Sequence, residues 1–311
     1  MIVAVTYGDK QYDLSCKLNL WTARKIGRAD KIMRYSREDI DSDYLEQHKD
    51  IFSVKRGGGL WLWKPYIILD ALSRLSEDDY LMYLDSGAYY VNSIRKLVNQ
   101  LEYEKKCILF SSSILLNKEW CKKSLMDSYL DQNELSDFMN RSQAEPGYIL
   151  IKKCQQSMQF VEEWLSLQEN YENVCDVVDK SNEYPFFKEH RHDQSTLNIV
   201  MFKHGLRPNK GFSGRSEYKY YVKFKDGEFF GYSKEELIEL AAKECNQDYY
   251  KMSNYGRIVI NTRIDTTNVF TFTLRLIKKT LMVLLEDSVY KYIANYKMGK
   301  YKNRISRNNE G

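Results

Sequence analysis

Three short stretches of this chain carry side chains suited to holding a charged group. The first is Tyr80-Leu81-Met82-Tyr83-Leu84-Asp85-Ser86-Gly87. Five mostly apolar residues run into a carboxylate, a hydroxyl and a glycine, which reads as a buried strand ending at a loop. In open α/β sheets ligands bind outside the carboxyl ends of strands, which is where Asp85 would stand. A carboxylate there can hold Mg²⁺ or Mn²⁺ against phosphate oxygens, because hard cations prefer oxygen ligands. Gly87 allows a sharp turn and a close approach of ligand. Asp is also a common turn former, and the stretch taken alone favours that plainer role.

The second stretch is Lys55-Arg56-Gly57-Gly58-Gly59-Leu60-Trp61-Leu62-Trp63-Lys64-Pro65-Tyr66. Three consecutive glycines make either a mobile loop or one pressed against a ligand. Pro65 favours the first position of a helix, and Ile67, Ile68, Ala71, Leu72 and Leu75 give that helix an apolar face. Lys64 then lies at a helix N-terminus beside free backbone N–H groups, a natural place for a phosphate; a solvated lysine is the competing reading. Trp61 and Trp63 suit stacking on a base or sugar, although core packing is the commoner fate of Trp. The third stretch, from Phe187 to Val200, crowds His190, His192, Asp193, Gln194 and Ser195 ahead of an apolar helical pattern. Asp193 is placed to be an N-cap. Two histidines at i and i+2 share a face of a strand, but two without a third ligand seldom make a metal site.

The elements that must position these groups follow an α/β order. Ile2–Tyr7 is a β-rich run ending at Gly8-Asp9-Lys10, and Leu14, Leu18, Trp21 and Ile26 give residues 12–26 helical spacing. Strand, turn and helix open an α/β unit. Residues 32–35 predict a second strand and 36–49 a polar helix. Further on, 94–101 and 120–129 read as helices. Residues 107–110 read as a strand ending in Ser111-Ser112-Ser113, and 147–151 as another strand. Residues 156–167 form an amphipathic helix with Phe160, Val161, Trp164 and Leu165 inward. A strand over 218–224 with a hairpin return at 229–232 through Asp226-Gly227 is expected, and a helix starting at Ser233. No internal repeat is present.

The 311 residues suit one large domain or one and a half, and the 47 Lys/Arg against 43 Asp/Glu leave no nucleic-acid footprint. The six cysteines (Cys16, Cys107, Cys121, Cys154, Cys175, Cys245) include no C-x-x-C pair, which argues against zinc ribbons and redox motifs and for reduced thiols in the cytoplasm. The N-terminus lacks the basic and apolar regions of a signal peptide. No apolar run reaches the roughly 18 residues of a membrane span. Charge is concentrated at the C-terminal end: residues 275–307 hold nine Lys/Arg against Glu286 and Asp287 alone. With Leu274, Ile277, Leu281, Leu284, Leu285 and Tyr292 as an apolar stripe, this segment suits an anionic membrane surface; a packed terminal helix with a basic tail is the alternative. The expected organisation is a domain over 1–270 and a basic amphipathic segment over 271–311.

Taken in order, a first strand, a basic residue before a helix, Y-L-D-x-G, G-Y-I-L-I-K and D-Q-S-x-L-N resemble bacterial sugar transferases of the GT-A type. The similarity is greatest to family 8 glycosyltransferases and related enzymes of capsule and lipopolysaccharide assembly. It spans residues 1–210. The resemblance implies a Rossmann-like mixed sheet flanked by helices, with the basic helical extension beyond it. It further implies transfer of a sugar, with retention, from a nucleotide-diphosphate donor (UDP-sugar favoured, GDP-sugar also considered) to a surface polysaccharide or lipid-linked glycan. Asp85 matches the first acid of the metal-holding D-x-D turn, and Ser86 and Gly87 complete that turn. Lys64 matches the donor-contacting basic residue, and Arg56 would share the phosphate charge. Tyr7 would lie near the base. Asp193 and Gln194 match the pair beside the transferred sugar. The turn lacks its second acid, so a histidine (His192, His190 or His204) would join Asp85 on Mn²⁺ or Mg²⁺, or metal dependence would be weak. His204-Gly205-Leu206-Arg207-Pro208 only echoes the family's His-Gly-Lys-Pro segment. The implied location is cytoplasmic, peripheral on the inner membrane face. Two alternatives remain: a catalytically impaired binding or scaffolding protein with this fold, and a nucleotidyltransferase.

Overall fold

The apolar runs pair into one mixed sheet in the order β2-β1-β3-β6-β5. The computed structural model describes residues 1–209, 211–212, 228–229, 232–233, 253 and 255–284; Ile114, Glu228, Phe229, Tyr232 and Ser233 are described in backbone alone. Strands β1 (Ile2–Tyr7), β2 (Lys31–Tyr35) and β3 (Tyr80–Leu84) are parallel. In that register Val5 lies opposite Tyr83, so the carboxyl ends of β1 and β3 meet at one edge. β6 (Ser142–Lys152) runs antiparallel to β3, and β5 (Ile108–Leu116) antiparallel to β6. Helices flank the sheet, which makes the fold α/β as expected.

Alternation along the strands divides the core in two. Val3, Val5, Leu81, Tyr83, Ile149 and Ile151 point to one face, where Ile67, Trp164 and Leu197 cover them. These come from the helices Trp63–Ser73, Gln155–Gln168 and His192–Lys203. Ile2, Ala4, Met82, Leu84 and Leu150 point to the other face, against Leu97 and Leu101 of the helix Arg95–Tyr103. Each fully buried aliphatic side chain of this kind contributes about 1.5–3 kcal/mol.

Several expectations change in the structure. The helix Asp13–Lys25 forms, but Trp21 is 58 % exposed and Ile26 lies at the surface, while Ser15, Cys16, Asn19, Thr22 and Ala23 are buried. Its inner face is small and polar because it has carbonyls and amides to satisfy. Asn19 Nδ2 donates to the carbonyls of Leu84, Asp85 and Ala88, and Thr22 Oγ1 accepts from the Tyr90 amide. The polar helix over 36–49 is broken into a capped turn at Arg37–Asp39 and the short helices Ser42–Gln47 and Lys49–Phe52. β5 continues through Ser111–Ser113 as strand, with a register shift between Phe110 and Ser111. The expected helix over 120–129 is two, Asn117–Trp120 and Lys123–Tyr129.

Two small sheets complete the description. β4 (Ala88–Tyr90) pairs antiparallel with β9 (Val259–Asn261), and β7 (Glu228–Phe229) with β8 (Tyr232–Ser233). The expected strand over 218–224, its Asp226-Gly227 turn and the helix after Ser233 lie outside the described residues. A helix over 269–284 follows β9. Phe272 is its buried anchor, and Val269, Phe270, Leu274, Ile277, Leu281, Met282 and Leu284 are exposed. The remainder of the basic segment, 285–311, lies outside the described residues.

The three glycines form neither an open loop nor an ordinary turn. Gly57, Gly58, Gly59, Leu60 and Trp61 all have positive φ, giving a short left-handed turn that leads into the helix Trp63–Ser73. At Gly59, with φ +101°, a Cβ would sit 2.7 Å from Phe52 Cδ1 and 3.0 Å from Phe52 Cα. At Gly58 it would meet only Trp63 Nε1, at 3.8 Å. Gly59→Ala should therefore cost about 2–4 kcal/mol from strain and overpacking, and Gly58→Ala about 1–2 kcal/mol from backbone strain alone. Urea unfolding of the two variants would measure the difference.

Candidate functional site

Asp85 stands at the carboxyl end of β3, half-exposed, directly after the buried run that carries it. Its Oδ1 accepts a 2.7 Å hydrogen bond from Tyr83 Oη, two residues earlier on the same strand face. Gly147 of β6 lies beneath it, where a Cβ would come within 2.7 Å of Asp85 Oδ2. A larger residue at 147 would displace the carboxylate.

Lys64 enters this space from the helix Trp63–Ser73. Pro65 is the third residue of that helix, so Lys64 sits within its first turn and its N–H is spent on the Trp61 carbonyl. The side chain is 2 % exposed, neither solvated nor a loop lysine. Its Nζ donates to Asp193 Oδ2 at 2.7 Å and lies 3.5 Å from Asp85 Oδ1. Asp193 is the second residue of the helix His192–Lys203 and does not act as its N-cap. Its carboxylate is buried on Lys64, and Trp164 Nε1 bonds its carbonyl at 3.3 Å. Residues 64, 85 and 193 are thus brought together.

One ammonium serves two carboxylates here. Burial works against the charge on Lys64, but Asp193 and Asp85 outweigh it and hold the lysine pKa above its ordinary value. Burial pushes the Asp193 carboxyl up and Asp85 adds to that, while Lys64 opposes both. Gln194 lies beside Asp193 with its Nε2 enclosed and without a hydrogen-bond partner among the described residues. Enclosed amide donors are normally paired, so this one is available to a ligand oxygen.

The other expected residues fall into two groups. Tyr7 is stacked on Trp63, ring centroids 3.8 Å apart, and its hydroxyl donates to Asp9 Oδ1 at 3.3 Å. Trp63 therefore closes one face of the Tyr7 ring. Ser86 Oγ lies near Gly8, where an added Cβ would come within 3.3 Å of it. Gly87 gives its carbonyl to the amides of Thr262 and Arg263, at 2.7 and 2.8 Å. Arg56 is committed elsewhere, to Asp176 at 2.9 Å and to Glu189. Asp176 also meets His192 Nε2 at 2.9 Å, and the Trp61 ring lies 5.2 Å from the His192 ring.

None of the three histidines is bonded to Asp85. His190 is buried, its Nδ1 receiving the Lys122 amide and its Nε2 facing the Asn173 carbonyl. Burial, Lys122 and His192 hold its pKa well below the usual range, so it is neutral. His204 bonds Glu163. Among the described residues no three His, Cys, Asp or Glu side chains converge as a metal cluster. Asp85 is the oxygen the turn itself offers, which suits a Mg²⁺-like ion completed by substrate phosphates better than an all-protein cage. His192, with Nε2 on Asp176, does not fit as its partner ligand.

Sequence reasoning missed Tyr83, Gly147, Asp176, Thr262 and Arg263. Tyr83 was within reach of the strand periodicity, which places residues i and i+2 on one face. Gly147 opens the G-Y-I-L-I-K segment but was not read as a site residue, and nothing local marked Asp176, Thr262 or Arg263.

No protein-family model matches the chain, and no curated protein matches it. Solved structures give likenesses of modest extent. A galactosyltransferase, LgtC, in complex with donor and acceptor sugar analogues is 12 % identical over 74 % of this chain and 81 % of its own, with a TM-score of 0.43. Mouse xyloside xylosyltransferase 1 is 9 % identical over 67 % and 83 %, with a TM-score of 0.38. The glycosyltransferase GlyE of Streptococcus pneumoniae TIGR4 is 16 % identical over 80 % of this chain, which spans 50 % of GlyE, with a TM-score of 0.37. At such identities and TM-scores these likenesses assign neither a family nor an activity.

Removing one partner of a buried ion pair strands the other charge. Lys64→Met should cost about 3–5 kcal/mol, and adding Asp193→Leu to that variant should recover much of the loss. Asp85→Asn, at a half-exposed site, should cost under about 1 kcal/mol. Equilibrium unfolding of the four proteins, including the parent, checks this ordering.

Proposed function

We propose that this chain is a glycosyltransferase that moves a sugar from a nucleotide-diphosphate donor to a glycan or lipid-linked glycan acceptor. The reading is carried by one observation: Lys64, Asp85 and Asp193, far apart in the chain, meet at the carboxyl edge of the parallel strands. The ordered motifs that resemble family 8 enzymes support it.

In this reading the donor's diphosphate lies over the Asp85-Ser86-Gly87 turn. A divalent cation bound by Asp85 and the diphosphate oxygens would neutralise the charge that develops on the leaving group. The chain's own residues do the rest. Lys64 holds Asp193 and Asp85 in place, bonding the first at 2.7 Å and standing 3.5 Å from the second. Asp193, on the inner side of Lys64, orients hydroxyls of the transferred sugar. The unpaired Nε2 of Gln194 donates to an oxygen next to the reacting carbon, where charge changes as the bond to the diphosphate breaks. An acceptor hydroxyl attacks from the leaving-group side, which gives retention. UDP-sugars are the favoured donors.

The exposed apolar residues of the helix over 269–284, with Arg275 and Lys278, would dock the enzyme on an anionic membrane surface. No helix among the described residues is long and apolar enough to cross a membrane.

The missing second acid at the turn favours one other reading, a catalytically impaired binding protein of the same fold. A panel of UDP- and GDP-sugars with Mn²⁺, Mg²⁺ or chelator separates the two. The expected result is release of nucleoside diphosphate, reduced at least about 100-fold in Asp85→Ala with an unchanged melting temperature. Release of pyrophosphate instead would identify a nucleotidyltransferase. Nucleotide binding without turnover on any donor would support the impaired reading and defeat the transferase.

A further inference from the structure

A second cation reaches the Asp85 turn from far along the chain. β9 pairs with β4 so that Asn261 lies opposite Ala88, which carries Thr262 and Arg263 over Gly87. Both amides bond the Gly87 carbonyl. The approach is close enough that a Cβ on Gly87 would sit 3.1 Å from Arg263 Cα and 3.3 Å from its Cγ. Glycine at 87 therefore makes room for Arg263 as well as for the turn.

The arginine is held in place by its backbone, and its tip has no partner among the described residues. Arg263 has φ +47°, in the left-handed region that a non-glycine residue seldom occupies. Its carbonyl accepts from Lys279 Nζ at 3.1 Å, and the Thr262 carbonyl accepts from the same lysine. Ser15 Oγ donates to the Ile264 carbonyl at 2.5 Å, and Asn261 Nδ2 to Tyr148 Oη at 2.5 Å. The segment is thus tied down on both sides of residue 263. Arg263 itself is exposed, and its guanidinium makes no hydrogen bond or ion pair among the described residues. The cations that the sequence offered for phosphate are differently placed. Lys64 is buried between two aspartates, and Arg56 is paired with Asp176 and Glu189. Asp85 is tied to the same edge: its amide donates to the carbonyl of Gly147 at 2.9 Å, next to Tyr148, the partner of Asn261.

We infer that Arg263 binds the diphosphate of a nucleoside diphosphate at the Asp85 turn. A guanidinium presents paired N–H donors that match phosphate oxygens. The turn that lacks a second acid for a cation would then meet part of the phosphate charge with a guanidinium carried on an anchored backbone. This rests on the glycosyltransferase reading of the same site, and it concerns binding, which can be measured without turnover.

The test is calorimetric titration of the full chain with UDP, GDP, uridine and guanosine, each with Mg²⁺ and with chelator. Arg263→Ala and Arg263→Lys are compared with the parent, with melting temperatures as the fold control. Arg263→Ala should weaken binding of the preferred nucleoside diphosphate by about tenfold to a hundredfold. Binding of the nucleoside should be unchanged, and Arg263→Lys should fall between. The loss should persist in chelator. Equal affinity of parent and Arg263→Ala for the diphosphate overturns the inference. An equal loss for diphosphate and nucleoside also overturns it, since that reports a shape change. No binding of either diphosphate by the parent overturns both this inference and the transferase. Arginine-dependent binding with no transfer overturns the transferase alone.

Discussion

The ammonium of Lys64, buried between Asp193 and Asp85, is the interaction on which this structure turns. Taking a lysine out of water costs several kcal/mol unless its charge is answered at close range. Here it is answered at 2.7 Å by a carboxylate that is itself buried, and at 3.5 Å by one that is half-exposed. The cluster therefore forms only when the helix Trp63–Ser73, the end of β3 and the helix His192–Lys203 are all in place. It ties residues more than a hundred positions apart and leaves the outer carboxylate with one side toward solvent. A group built this way is preorganised: its charges need not move when a ligand arrives, which is what stabilisation of a charged leaving group requires.

Much of the surrounding architecture follows from that cluster. The left-handed run from Gly57 to Trp61 turns the chain so that Lys64 points inward at the first turn of its helix. Three of its five residues are glycines, which keeps the strain small. Gly147 leaves the space above β6 to Asp85. The helix Asp13–Lys25 turns Asn19 and Thr22, rather than its apolar residues, toward the β3–β4 connection, because that connection has carbonyls and an amide to pair. The polar face supports the turn that carries Asp85, and Trp21 is left outside as a consequence.

The segment after β9 adds what the first two hundred residues lack. It returns to Gly87 and sets Arg263 beside the turn. The same stretch leads into the helix over 269–284, whose Lys279 secures two of its carbonyls. One piece of chain thus joins the candidate phosphate site to an exposed apolar helix face.

What the sequence determined by itself is the alternation of elements and the residues at the ends of the strands. β1, β2 and β3 each begin within a residue of where the apolar and β-branched runs place them; in β1 and β3 burial on both faces leaves a continuous signal, while β2 is a largely exposed edge strand. Lys64, Asp85 and Asp193 were legible as chemistry-bearing residues for the same reason: each follows or opens a strongly patterned element. Their pairing was not, since a charge partner more than a hundred residues away leaves no mark on local spacing. The N-cap expectation for Asp193 failed on this ground, as burial beside Lys64 overrode a local preference. The inner face of the helix Asp13–Lys25 was misread because hydrophobicity reports burial only where the neighbours are apolar, and here they are backbone carbonyls. Arg263, Thr262 and Asp176 were decided by tertiary structure alone: long-range strand pairing and ion pairing brought them to the site, and those forces act across space rather than along the chain.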